Sequence, residues 1–79
     1  MAERTTSDDV MTRAELASYL SSLAQEFDDE NEEIAVAVGN KTVSLSPPEN
    51  VNVSVDVVER SSILRGERET IAIELSWKP

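Results

Sequence analysis

The sequence contains no cysteine and no histidine among its 79 residues. Without cysteine the chain has no disulfides and no thiol nucleophile, and without histidine it lacks the usual zinc ligand and general base. At this length a chain forms one domain, and a single hydrophobic core leaves only a thin margin of stability. The composition therefore indicates a small domain that folds without covalent or metal cross-links.

Long apolar runs are also missing. The longest is Ile34–Val38, whereas a transmembrane helix needs about 20 consecutive apolar residues. Residues 1–9 contain no apolar run either, so no secretory signal is expected. The sequence predicts a soluble, cytoplasmic protein with no membrane span.

Positive charge is scarce. Sixteen acidic residues face seven basic ones, which gives a net charge of −9. Such a charge repels itself and destabilises a compact state at low salt, whereas a Debye length of about 3 Å in molar salt screens the repulsion. We therefore expect a halophilic protein, adapted to a saline cytoplasm. The same charge argues against binding to nucleic acid phosphates but leaves a protein partner open.

A helix start is predicted at Thr12. Thr12 and Glu15 have the spacing of a capping box, in which the hydroxyl accepts from the backbone N–H three residues later. Four apolar residues then recur at steps of four, three and four, which is typical of one helix face. They are Leu16, Leu20, Leu23 and Phe27. The acidic run at residues 28–33 ends the pattern.

A tight hairpin is predicted at residues 34–45. Ile34, Val36 and Val38 alternate with small residues, and Gly39-Asn40 fits a two-residue turn with glycine in its first position. A loop of that length pairs Val38 with Lys41, Val36 with Val43 and Ile34 with Leu45. Turn and pattern therefore agree on one register.

Two further strands are predicted after the Pro47-Pro48 break. Residues 51–58 alternate with valine on one side, and residues 70–77 alternate up to Trp77. Residues 59–67 are interpreted as a connection with Gly66 as its turn residue. Because neither the helix stripe nor the strands can remain bare, two layers are the simplest solution.

The predicted fold is α+β, with one amphipathic helix packed on a four-stranded antiparallel meander. Residues 1–10 are predicted to be a flexible lead-in and residues 11–79 a single domain. The predicted core collects the apolar side of every element. It comprises Leu16, Leu20, Leu23, Phe27, Ile34, Val36, Val38, Val43, Leu45, Val51, Val53, Val55, Val57, Ile71, Ile73, Leu75 and Trp77.

The order of these elements resembles a known family, the amphi-Trp domain, over about residues 12–77. The family is named for an amphipathic last strand that ends in tryptophan, and Ile71–Trp77 is similar to it. Residues 13–24 on the helix and Leu45-Ser46-Pro47-Pro48 also resemble family features. The family is common in salt-loving archaea and has no assigned activity, so the resemblance implies fold and habitat only. Family members often carry a more apolar N-terminal strand, from which residues 1–10 depart.

No catalytic, cofactor or metal site is predicted. The acidic run at residues 28–33 lacks the glycine and the downstream glutamate of a calcium loop, so a solvated loop is expected. No acidic residue falls on a predicted buried position, so nothing would raise a carboxyl pKa for acid–base work. We expect no enzyme activity, and four strands with one helix leave little room for a small-molecule pocket.

Two surfaces are predicted as partner contacts. The first is the outward sheet face, which carries few charges for so acidic a protein, and the second is the connection rich in arginine. The candidate residues are Ala35, Ala37, Ser44, Ser54, Ala72, Arg60, Ile63, Leu64, Arg65 and Arg68. The alternatives are ordinary solvated strands and a connection whose Ile63 and Leu64 pack under the sheet edge or extend the hairpin.

The sequence thus favours a non-catalytic protein-interaction module that binds a protein partner or a second copy of itself. The alternative is a small regulator that contacts nucleic acid or its machinery through Arg60, Arg65 and Arg68. Three arginines could position a protein on phosphates, but the net charge of −9 opposes that contact.

Overall fold

A computed structural model describes residues 3–64 and 66–79 of the chain. It contains helix α1 at Arg13–Asp28 and strands β1 at Ile34–Val38, β2 at Lys41–Leu45, β3 at Asn52–Ser62 and β4 at Gly66–Ser76. The chain divides into two compact units, Met1–Pro47 and Pro48–Pro79. The predicted α+β class, with one helix and four strands, is confirmed.

The prediction of one four-stranded meander is wrong. The strands form two separate two-stranded sheets, β1 with β2 and β3 with β4. The break falls at Pro47-Pro48, where both residues lack the backbone N–H that a ladder needs and have a fixed φ. Both hairpins of the predicted meander are therefore kept, and within the described residues the pairing of β2 with β3 across this link is absent.

Helix α1 begins where the sequence predicts. The Thr12 hydroxyl oxygen accepts from the Glu15 backbone N–H at 3.1 Å and donates to the Glu15 carboxylate at 3.1 Å. The helix ends at Asp28, one residue beyond the predicted end, and the Asp29 N–H donates to the Gln25 carbonyl. The capping box therefore locates the start of the helix, and the acidic run locates its end to within one residue.

The β1–β2 hairpin is confirmed in register. Val38 pairs with Lys41, Val36 with Val43 and Ile34 with Leu45. Gly39 has φ +60°, and no non-glycine residue in the described ranges has positive φ, as a type II′ turn requires. Unit 1 also contains the lead-in, which forms neither helix nor strand over residues 3–10.

The β3–β4 hairpin is longer than predicted. Each strand has 11 residues, and pairing continues from Asn52 opposite Ser76 to Ser62 opposite Gly66. Most of the predicted connection at residues 59–67 is therefore strand, since no proline interrupts it. Gly66, with φ +77°, is a turn residue as expected.

The predicted core is mostly exposed. Ile34, at 3% exposure, is the one hydrophobic residue that is fully buried within the described residues. Leu16 and Leu20 are about half exposed, and Val53, Val55 and Val57 are more so. Unit 2 contains two strands and no helix, so no second layer within that unit covers either face. The expectation that residues 11–79 form a single domain stays a prediction.

Candidate functional site

The free edge of β1 is capped by two side chains of α1. The Tyr19 hydroxyl donates to the Ala37 carbonyl at 2.7 Å, and the Ala35 N–H donates to Glu26 Oε1 at 2.7 Å. Tyr19 and Glu26 are seven residues apart, so they lie on the same helix face two turns apart. One donor and one acceptor that would otherwise invite a further strand are thereby occupied.

Three of the predicted contact residues lie on this hairpin. Ala35, Ala37 and Ser44 share one face by strand parity, with Ala35 directly opposite Ser44, and all three are exposed. Their side chains remain accessible although one backbone group at each of Ala35 and Ala37 is bonded to α1. A contact here would therefore use the face of the hairpin and not its β1 edge.

The β3–β4 hairpin carries six large aliphatic residues on one face. They form three cross-strand pairs, which we name the aliphatic stripe: Val53 with Leu75, Val55 with Ile73 and Val57 with Ile71. Because side chains alternate along a strand, all six project from the same side.

The aliphatic stripe is exposed along its whole length. Exposure ranges from 38% at Leu75 to 71% at Ile71. The stripe is bounded at one end by Glu59 opposite Glu69, and at the other by the half-buried Val51 and Trp77. This surface is apolar and is edged by negative charge at its turn end.

The opposite side of the same hairpin is polar. Four of the predicted contact residues lie together on this polar face by parity: Ser54, Arg60, Arg68 and Ala72. Arg60 and Arg68 are Cα partners, so two like charges stand directly opposite each other, which is unfavourable for a sheet. The pair therefore leaves a concentrated positive charge available to an anion.

The turn between β3 and β4 presents Ile63 and Leu64 to solvent. Their exposures are 104% and 95%, so neither packs under a sheet edge. Arg65, the remaining predicted contact residue, lies outside the described residues.

Ser54 and Ala72 belong to a different sheet from Ala35, Ala37 and Ser44, so the predicted outward face is not one continuous sheet surface.

The acidic run at residues 28–33 contains one hydrogen bond between two of its own side chains. Asn31 Nδ2 donates to Asp29 Oδ2 at 2.9 Å. Over residues 3–64 and 66–79, no three Asp or Glu side chains converge in a way that could hold a metal ion. In those same residues no helix is both long and apolar enough to cross a bilayer.

Sequence reasoning did not identify the aliphatic stripe as a surface. It found all six residues but assigned them to the core, because strict alternation is typical of a half-buried strand. The alternation itself carried no signal that would separate the two cases, because it does not specify which layer covers an apolar face.

Comparison with known proteins identifies the chain at the family level. The model of the Amphi-Trp domain matches residues 1–79. No curated protein and no solved structure matches the chain. Since the match spans the whole sequence, including the last strand up to Trp77, the chain belongs to the Amphi-Trp domain family.

Proposed function

We propose that this protein is a non-catalytic protein-interaction domain that works in a saline cytoplasm and binds through its aliphatic stripe. The observation that carries the proposal is the exposure of Val53, Val55, Val57, Ile71 and Ile73, each of which is more than half exposed on one face. An apolar surface of this kind marks a contact site when it is contiguous and edged by polar groups.

The size of the stripe supports this reading. Six such side chains expose on the order of 500 Å² of mainly apolar surface, near the upper end of what monomers usually leave bare. Covering apolar surface stabilises an assembly by roughly 25 cal/mol per Å² before association costs are subtracted. Covering this face therefore offsets much of the cost of association for a partner that fits it.

The environment of the acidic residues supports a non-catalytic role. No polar or charged residue within the described ranges is buried. Catalytic carboxyl groups depend on burial or close like charges to shift their pKa toward neutrality. Exposed carboxylates on a solvated surface contribute solubility and repulsion instead.

Affinity capture of the tagged full chain from its source cells, in molar salt and after nuclease treatment, tests the proposal. We expect a stoichiometric protein, either another species or untagged copies of the chain. Its capture should be lost in Ile73→Lys, which charges the stripe, and kept in Ala72→Lys, which places the same charge on the polar face. Equal capture by both variants would exclude the stripe as the contact.

Thermal unfolding in a salt series tests the saline setting. Self-repulsion from the net charge of −9 is unscreened at low salt and falls away as the Debye length shortens to about 3 Å. We expect the Tm of the full chain to rise by at least about 10 °C between 0.05 and 3 M KCl, since 1 kcal/mol is worth 4–8 °C in a domain of this size. A flat or falling curve would contradict adaptation to salt.

A second candidate function is contact with nucleic acid or its machinery through the polar face and the β3–β4 turn. The observation that favours it is the direct opposition of Arg60 and Arg68, whose guanidinium groups match phosphate geometry. Ser54, Ala72, Ile63 and Leu64 would then flank or approach the bound strand.

Fluorescence anisotropy of labelled oligonucleotides separates the two functions. The second function expects binding that weakens as salt rises, with a log–log slope reduced by about one for each arginine removed. Arg60→Gln and Arg68→Gln are the test variants, and Lys41→Gln on the other hairpin is the matched control. Binding that is equal in all three would exclude the arginine pair.

A further inference from the structure

We infer that the occupant of the aliphatic stripe is a second copy of this chain, packed face to face with its strands running antiparallel to the first. This inference rests on the proposed function and specifies its partner. It places a twofold axis across the strands at the level of Val55 and Ile73, the central cross-strand pair. Each copy contributes the same six residues, as an isologous interface requires.

The area of the stripe meets the minimum for a specific dimer. Each copy presents on the order of 500 Å² of exposed apolar surface. Two copies together therefore remove about 1,000 Å² from water, which is the lower bound for a biological interface. No additional surface is needed for a weak but specific dimer.

The shape of the stripe suits its own copy. Two of the three cross-strand pairs are β-branched on both strands, Val55 with Ile73 and Val57 with Ile71, and the third is Val53 with Leu75. Two sheets pack about 10 Å apart with side chains interdigitating, and they cross at roughly 30° because of strand twist. A two-stranded face of aliphatic side chains of similar size fits this arrangement.

Charge selects the antiparallel orientation. Glu59 and Glu69 stand opposite each other at the turn end of the stripe, and Glu67 lies on the same side beyond them. In a parallel dimer the six carboxylates of two copies would meet at one end, which costs free energy. The antiparallel arrangement separates them by the length of the stripe and brings each set toward Trp77 and Lys78 of the other copy.

The twofold axis defines which residues face each other. Val55 faces Val55 of the second copy, and Ile73 faces Ile73. Val57 faces Val53 of the second copy, and Ile71 faces Leu75. The two sets of glutamates lie at opposite rims, so they stay hydrated while the stripe is covered.

The net charge predicts how the dimer responds to salt. Two copies that each carry −9 repel at low salt, and this repulsion is screened in molar KCl. The dimer dissociation constant should therefore fall by at least about tenfold between 0.1 and 2 M KCl. An interface held by ion pairs would weaken over the same range.

Sedimentation equilibrium of the purified full chain in 2 M KCl tests the inference. We expect a concentration-dependent dimer whose dissociation constant rises at least about 100-fold in Ile73→Lys. The matched control is Ala72→Lys, the neighbouring position on the polar face opposite Asp56. That variant should change the constant less than about threefold, and equal effects in both variants would overturn the inference.

A second variant keeps the test valid if Ile73→Lys fails to fold. Val55→Thr keeps a β-branched residue of similar size and adds one hydroxyl to the centre of the interface. We expect the same circular dichroism spectrum and a dimer weakened about tenfold. A dimer of unchanged strength in a folded Val55→Thr variant would overturn the inference.

Pulsed electron paramagnetic resonance tests the orientation. A single cysteine is unique in this chain, so Ile63→Cys, at the exposed turn, takes one nitroxide per copy. The turn lies eight residues from the axis, so antiparallel copies place the labels about 50 Å apart at about 3.4 Å per residue. A distance near 20 Å would indicate the parallel dimer and overturn the proposed arrangement.

The two proposals fail in different ways. A purified chain that remains monomeric up to millimolar concentration overturns the second copy as occupant. If the same tagged chain still captures a different protein through Ile73, the interaction domain stands with another partner. If neither association depends on Ile73, both proposals are wrong.

Discussion

The two hairpins of this protein follow the same alternating pattern, yet their surroundings differ. Beside β1–β2, helix α1 occupies the strand edge through Tyr19 and Glu26, and Ile34 is buried. The β3–β4 hairpin has strands of 11 residues, more than twice as long, and its unit supplies no helix. One hairpin is thus completed within its unit, while the other leaves an apolar face for something else to cover.

The comparison shows what an alternating pattern does and does not specify. Alternation determines which residues share a face, because side chains project to opposite sides with a period of two. It does not specify which layer covers that face. A contiguous apolar side is equally consistent with a core and with an interface, and the supply of covering elements decides between them.

The largest effect should come from truncating the buried Ile34, and the same truncation at the exposed Ile71 is its comparison. Ile34→Ala removes a buried side chain and should lower the free energy of unfolding by about 2–4 kcal/mol. Ile71→Ala removes a side chain that is 71% exposed and should cost less than about 1 kcal/mol in dilute protein. Urea denaturation of both variants at low protein concentration measures the difference.

Raising the protein concentration should change the destabilisation caused by one of these two variants and not the other. As the stripe becomes covered, the cost of Ile71→Ala should grow, whereas the cost of Ile34→Ala should stay constant. Equal costs for the two variants in dilute solution would mean that Ile71 is already buried in the monomer.

The next effect concerns the two turns. Alanine at a positive φ costs about 1–2 kcal/mol, so both Gly39→Ala and Gly66→Ala should destabilise. A Cβ at Gly39 would also lie 3.0 Å from Ser7 Oγ, whereas one at Gly66 meets nothing within 4 Å. Urea denaturation should therefore show the greater loss for Gly39→Ala, and Ser7→Gly in the same chain should remove the excess.

A smaller effect is expected at the capped edge. Tyr19→Phe removes the hydroxyl that donates to the Ala37 carbonyl and should cost about 0.5–1.5 kcal/mol. Glu26→Gln is the control, because its amide oxygen can still accept from the Ala35 N–H. If urea denaturation shows the same loss for both, the capping bonds do not stabilise unit 1.

The smallest effect is expected at the arginine pair on the polar face. Arg60→Glu places an opposite charge across from Arg68 and should stabilise the hairpin by about 0.2–1 kcal/mol at low salt. Arg60→Gln, which only removes a charge, should give about half of that gain. Thermal unfolding at 0.05 M KCl checks both, and a loss of stability in Arg60→Glu would show that the pair makes a favourable contact.

The sequence predicted the local features well. The Thr12 cap, the register from Ile34 to Leu45 and the Gly66 turn depend on residues close in the chain, whose chemistry determines them directly. Strand length was underestimated, because residues 59–62 are all polar and carry no alternating apolar signal, although antiparallel pairing continues through them. The single sheet was wrong because alternation does not specify whether β2 and β3 pair across the Pro47-Pro48 link, and the burial of the stripe was wrong because alternation does not specify which layer covers a face.

Methyl NMR of the four isoleucines in this chain, with a soluble paramagnetic agent, measures directly whether the aliphatic stripe is exposed in the monomer and covered in the dimer. Ile34 is buried and Ile63 fully exposed, so they calibrate the two extremes in every spectrum. We expect Ile71 and Ile73 to be strongly relaxed in dilute protein and to become protected in concentrated protein in 2 M KCl. Protection equal to that of Ile34 at every concentration would show that the stripe is core in the monomer, and would contradict its role as an exposed contact surface.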